Sequence, residues 1–209
     1  WANVTMTTQG PIAGSTPTIP AGATTAQAQA VLDCAGPGSI VTFESGSYAG
    51  GLFVNNSQLT LQLNSCTVGA PAPAFTIVGD DEVIQGPGKI DGGGGGGAGI
   101  LVQAGADNFI LDGVQVTGWA NGIELAGDVT SFKIWSNWIH TNSQNGLLVD
   151  AGVDLAGIVT IEGNLFKVNG GPGVTYAGSG SLDATYNSWG DDGGPKGPLG
   201  DDVGPNVTY

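Results

Sequence analysis

The chain has 209 residues, with 18 acidic residues set against four lysines and no arginine, for a formal net charge of −14. That balance excludes a nucleic-acid phosphate backbone and an anionic membrane as partners. It also speaks against polyanionic substrates such as pectate or alginate, whose carboxylates call for bidentate clamps. Glycine supplies 39 residues, far above the usual ~7%, while a hydrophobic fraction of 40% is ordinary, so the glycines read as recurrent turns around a packed core.

Residues 1–23 are rich in Thr, Pro, Ala and Gly and lack periodicity. They read as a linker or an extended strand leading into a cap. The chain opens at Trp1 with no signal peptide, which suggests a mature domain or a piece of a longer protein. The stretch TTAQAQAVLDCA (24–35) predicts a helix. Thr24 or Thr25 can cap it, Ala28, Val31, Leu32 and Ala35 line one face, and Gly36, Pro37 and Gly38 end it. A short amphipathic helix is what a solenoid needs over its open first coil.

Strands are expected at Ile40–Phe43, Leu52–Val54, Leu59–Leu63 and Phe75–Val78, with Val83, Ile84 and Ile90 filling two further sides. Six consecutive glycines follow at 92–97. They read as a mobile loop at one corner, since a phosphate-cradling loop would bring a lysine and a helix start.

From residue 98 one pattern comes round four times: AGILV, NGIEL, NGLLV and PGVTY. The residue after each glycine is Ile100, Ile123, Leu147 and Val174, in steps of 23, 24 and 27. A second apolar column reads Ile110, Ile134, Ile161, Ala184, and a third Gln115, Ile139, Phe166, Trp189. Between them lie Gly113, Asn137, Asn164 and Asn187, residue types that tolerate positive φ and so suggest one repeated tight turn. Three strands and a turn-rich corner per ~24 residues describe an all-β solenoid. No run is long enough to span a bilayer, which takes ~20 apolar residues.

The segments KIWSNWIHTNSQNGLLV (133–149) and ATYNSWGDDGGPKGP (184–198) carry a resemblance. Over roughly Gly38 to Pro198 the chain resembles the right-handed parallel β-helix of the pectate-lyase-like superfamily, and its end looks like the terminal coil of secreted bacterial β-helix domains. The resemblance implies a single-stranded parallel β-helix of about 6–7 coils with an N-terminal capping helix. One domain then covers 1–209: a leading segment (1–23), the cap (24–38), the coils (39–190) and an acidic Gly/Pro tail (191–209). It does not fix function, because this fold hosts lyases, hydrolases, epimerases, adhesins and binding modules.

Pectate lyases of this type use an arginine or lysine base beside calcium-holding aspartates. Here arginine is absent, and the expected register brings no lysine to an acidic cluster. Polygalacturonase-type enzymes carry N-T-D, D-D, G-H-G and R-I-K motifs, and only a D-D is present, in GDDEVIQG (79–86). A carboxylate pair, with Glu124 and Asp150 the nearest to one, remains the enzymatic alternative.

Alternation points Trp135 and Trp138 outward on either side of Asn137, with Leu111 and Glu162 beside Trp135, and Val114 and Leu165 beside Trp138. Trp119 sits in a turn and either folds over the corner or stands proud. Trp189 points inward. His140, the only histidine, reads as a polar ring next to a tryptophan. Exposed indoles on a rigid scaffold stack on sugar rings. The favoured reading is therefore a non-catalytic module, part of a larger secreted protein, that binds a neutral plant polysaccharide such as xylan. Its expected site is Trp119, Trp135, Trp138 and His140, with Asn121, Glu124, Gln144 and Asp150 hydrogen-bonding to hydroxyls. A structural or adhesive surface segment is a third reading. Cys34 and Cys66 suggest one disulfide of an exported protein. No cofactor is called for beyond a structural calcium ion, for which Asp191, Asp192, Asp201 and Asp202 are the ligands to examine, with solvated acidic turns the alternative.

Overall fold

Strands that alternate apolar and polar must bury one face, and a chain that repeats them does so by coiling on itself. A computed structural model describes residues 11–191, 194, 195 and 201–209. It is a parallel β-solenoid of about eight turns, against the 6–7 expected, with strands on three sides. The first side is the ladder Leu52–Val54, Phe75–Ile77, Ala98–Val102, Asn121–Leu125, Leu147–Val149 and Val174–Tyr176. The second runs from Thr18–Ile19 through Ile40–Phe43 and Thr60–Leu63 to Phe132–Trp135 and Val159–Glu162. Two nine-residue strands, Val83–Asp91 and Phe109–Thr117, belong to the second side and bend onto the third. There they meet Thr67–Val68 and Trp138–His140.

The first-side register matches the sequence pattern. Ile100, Ile123, Leu147 and Val174 stack in one buried column. The other two columns need a one-residue correction. Leu111, not Ile110, pairs with Ile134, and Val116, not Gln115, pairs with Ile139. Ile110 and Leu111 are both apolar, so local alternation is ambiguous there. Phe109 decides the phase, because it is buried against Phe132 and drives Leu111 inward two positions on. Outside, Trp135 therefore lies between Asp112 and Glu162, and Trp138 between Gln115 and Leu165.

The asparagine corner also differs from expectation. Positive φ belongs to the residue before each asparagine, Ser136 (58°), Gly163 (66°) and Tyr186 (61°), and to Gly113 (67°), which precedes Val114 at the same corner. The asparagines themselves turn inward. Asn137 Oδ1 accepts from Val114 N–H at 2.9 Å, Asn164 Oδ1 from Asn137 N–H at 3.0 Å, and Asn187 Oδ1 from Asn164 N–H at 2.9 Å. Each amide also donates to a carbonyl of its neighbourhood: Asn137 Nδ2 to Leu111 O, Asn164 Nδ2 to Ile134 O and Asn187 Nδ2 to Ile161 O. Backbone groups that the bend takes out of the strand ladder thus keep partners inside the protein. A second ladder at the next corner links Trp119 N–H to Asn142, Asn142 N–H to Asn169 and Asn169 N–H to Asp201.

The first coil is closed as expected. The helix spans Thr25–Cys34, with Thr24 as N-cap in a capping box with Gln27. Ala28 and Leu32 are buried beneath it. Gln29 completes the seal: its Nε2 donates to Phe53 O at 2.9 Å and its Oε1 accepts from Phe53 N–H at 2.8 Å. One side chain so stands in for a missing strand at the edge of the first side. At the other end, residues 201–209 are structured, with Val207–Thr208 pairing in parallel with Leu182–Asp183 and Val203 bridging to Val174.

One buried group conflicts with its surroundings. Glu82 is 1% exposed and lies in register next to Phe109, beside the buried Leu59. Among the described residues neither of its carboxylate oxygens has a hydrogen-bond partner. Burial pushes its pKa up to about 8; the nearby Leu59 N–H opposes this only in part, and Asp80 and Asp81 push it further. The folded chain then holds a proton that the unfolded chain releases above its ordinary value of 4.5. Stability therefore falls as pH rises from about 4.5 to about 8, and is flat in this respect above that.

Two outcomes follow from these buried polar groups. In urea unfolding at pH 5 and pH 9, Glu82→Gln gains on wild type at the higher pH by an amount on the order of 3 kcal/mol; a pH-independent difference would contradict the assignment. Asn137→Ala, which strands the Val114 N–H and the Leu111 carbonyl, should lower stability by roughly 2–4 kcal/mol, whereas a loss below about 0.5 kcal/mol would show the ladder to be dispensable.

Candidate functional site

The corner ladder positions the exposed aromatics. With Asn137 turned inward, Trp135 ends the second-side strand and Trp138 opens the third-side strand, and alternation sends both outward. They are 39% and 45% exposed. On the third side the outward row is Thr67, Lys89, Gln115, Trp138 and Leu165. The next row, one pleat on, is Asp91, Thr117, His140 and Lys167.

These rows make an open groove of about 400 Å³. Its lining repeats: Ser65–Thr67, Pro87–Lys89, Gly113–Gln115, then Ser136 and Trp138. The same positions in four successive turns form it, so the groove runs along the solenoid axis. Three strand spacings give it a length of about 14 Å. Trp138 stands at one end.

The polar groups around Trp138 form one connected cluster. Its ring stacks on His140 with centroids 4.2 Å apart. Gln115 Nε2 donates to His140 Nε2 at 2.7 Å, which leaves the His140 Nδ1–H for Thr141 Oγ1 at 2.8 Å. Lys89 Nζ pairs with Asp91 at 2.6 Å. A lysine beside an acidic residue was not expected from the sequence; the two stand two positions apart on one strand, so alternation puts them on the same face. Burial would raise the Asp91 carboxyl, but Lys89 and the Gly93 N–H outweigh it and hold it below the usual carboxylate range. Burial, with the Lys89 charge adding to it, holds His140 below its ordinary value despite Asp91, so the ring is neutral at pH 7.

The remaining expected site residues scatter. Trp119 is 1% exposed and binds no ligand: its indole Nε1–H donates to Ile90 O at 3.2 Å. Gly92 and Gly99 make room for it, since a Cβ at either would fall within 2.7 Å of the indole. Part of the glycine run therefore serves a buried ring. Asn121 is buried, accepting from Asn145 and donating to Glu124 Oε2 at 3.0 Å. It has no free face for a ligand. Glu124 and Asp150 lie on the first side, away from the tryptophans. Glu124 lines a cleft with Pro73 and Leu101 in which Asp150 has no part, so the two carboxylates do not share a pocket. Gln144 is exposed at the corner between third and first sides, where its backbone bonds to Ala120.

One further expectation is corrected. Cys34 and Cys66 do not form a disulfide. Cys34 ends the helix at the surface, while Cys66 is buried in the column that later holds the asparagines, where burial pushes its thiol up to about 11. Among the described residues no group of three or more metal-ligating side chains occurs. Asp201 is turned inward to end the second ladder on Asn169; burial raises its carboxyl against the pull of those bonds. Asp202 accepts from its neighbour Val203 N–H at 2.8 Å, Asp191 is half-buried, and Asp192 lies outside the described residues.

Three outward residues escaped sequence reasoning, two in the groove and one outside it. Gln115 became legible only with the corrected register, while Lys89 follows by alternation from the buried Ile90. Tyr186, 86% exposed, carried a signal: it occupies the corner position that is Gly113, Ser136 and Gly163 in earlier turns.

Comparison with protein-family models matches residues 38–188 to the right-handed β-helix region. The match covers most of the chain, which therefore belongs to that family. No curated protein and no solved structure matches it.

The Trp138–His140 stack has an optical consequence. Protonated imidazole quenches indole emission, so tryptophan fluorescence should drop as pH falls below the ordinary histidine range, and His140→Gln should remove that drop. A midpoint above pH 6.5 would contradict the buried, neutral ring.

Proposed function

We propose that this domain is a non-catalytic carbohydrate-binding module for a neutral plant polysaccharide, xylan or another hemicellulose, within a larger secreted protein. The observation that carries the reading is Trp138, exposed at the end of an axial groove that four successive turns build from equivalent positions. An indole held rigidly by the corner ladder offers a flat apolar face to a sugar ring. Gln115 and Thr67 supply the polar wall, and Lys89 is neutralised by Asp91, so the groove has no free cation to select an acidic chain. The net charge of −14 opposes polyanions as well.

A second reading, a polysaccharide-degrading enzyme, draws on the Asp91–Lys89 pair and the neutral His140 beside the same groove. A neutral imidazole can act as a base, but its Nε2 lone pair is taken by Gln115 and its Nδ1–H by Thr141.

Titration with xylan, glucomannan, β-glucan and polygalacturonate, followed by tryptophan fluorescence with parallel assays for new reducing ends, separates these readings. A neutral glycan should shift the emission without product, and Trp138→Ala should weaken its binding at least tenfold, about 1.4 kcal/mol. Release of reducing ends abolished by His140→Gln would establish the enzyme instead.

A further inference from the structure

The second side holds a different arrangement of aromatics. Trp135 sits between Asp112 and Glu162 in its outward row. Tyr186 stands at the corner, bonded through its carbonyl to Gly163 N–H at 2.9 Å. A shallow cleft of about 140 Å³ beside it is lined by Glu162, Asp183 and Thr185. Tyr186 adopts φ 61° where the preceding turns place Gly113, Ser136 and Gly163. A bulky side chain in that region is strained, and at 86% exposure no packing compensates the strain. The ring thus stands in solvent at the edge of this cleft.

We propose that Trp135 and Tyr186 form a second glycan platform, separate from the groove of Trp138, that takes a neutral β-1,4-linked chain. It rests on the reading of the domain as a glycan binder. The two aromatics are two turns apart, about 10 Å along the axis. In an extended β-1,4 chain alternate rings present the same face, and their repeat is close to that distance. Glu162 lies between the aromatics and Thr185 beside Tyr186, both placed to hydrogen-bond with hydroxyls, while the local carboxylates repel an anionic chain. Trp138 faces the third side across the buried Asn137 corner, so one short chain cannot use both sites.

Native mass spectrometry and calorimetry with xylotetraose and cellotetraose test this. The wild-type chain should bind two molecules. Trp135→Ala, Tyr186→Ala and Trp138→Ala should each leave one. Tyr186→Gly should also leave one while raising Tm by a few degrees through relief of the strained φ. One molecule per wild-type chain, unaffected by Tyr186→Ala and lost in Trp138→Ala, would overturn the second platform and leave the groove intact. No binding to wild type would overturn both readings together. A fall in Tm with Tyr186→Gly would make Tyr186 structural and overturn the platform. So would capture of hexalysine at Trp135 with no neutral sugar there.

Discussion

The constraint on which the molecule depends is the need to pay for a sharp corner without leaving backbone groups dry. Between the second and third sides the chain turns in two residues, and the strand ladder is interrupted. Asn137, Asn164 and Asn187 answer this by stacking inside, each accepting from the preceding turn's backbone and donating to a carbonyl. Because such an amide is useful only when aligned with its neighbours, the ladder fixes the register of successive turns. It also keeps the flanking strands short and their outward residues defined.

Function in this account is a consequence of that corner. The fold supplies a ruled surface with one strand spacing per turn. Side chains at equivalent positions then form lines parallel to the axis. Under the proposed function a linear polymer is the partner of such a line, with the aromatic ring at its end as the place to hold one sugar residue. The acidic surface narrows the class of polymer. Trp135 and Trp138, three residues apart, face different sides because the inward Asn137 stands between them.

Much of this was legible in the sequence, and the failures have physical causes. The first side was readable because glycine followed by alternating apolar residues admits one phase only. The second side was misread by one residue because Ile110 and Leu111 are both apolar, and only Phe109 breaks the tie. The asparagine column was found, but its role was inverted: asparagine tolerates positive φ, so it was assigned the turn, whereas Ser136 and Tyr186 make the turn and asparagine fills the corner. Trp119 was ambiguous because its burial depends on space cleared by Gly92 and Gly99, which lie 27 and 20 residues earlier. The expected site split across three faces, since a repeat sequence gives position along each strand more readily than position around the coil. Tyr186 was visible as an exception in a column of small residues.

The most direct test is to watch the five tryptophans individually. In a chain with ¹⁵N-labelled indoles, addition of xylotetraose should move the Trp138 and Trp135 Nε1–H resonances. Trp119 and Trp189, both buried, should stay in place as internal controls. Shifts confined to the buried pair, or a spectrum in which Trp138 does not respond to any neutral glycan, would contradict the account.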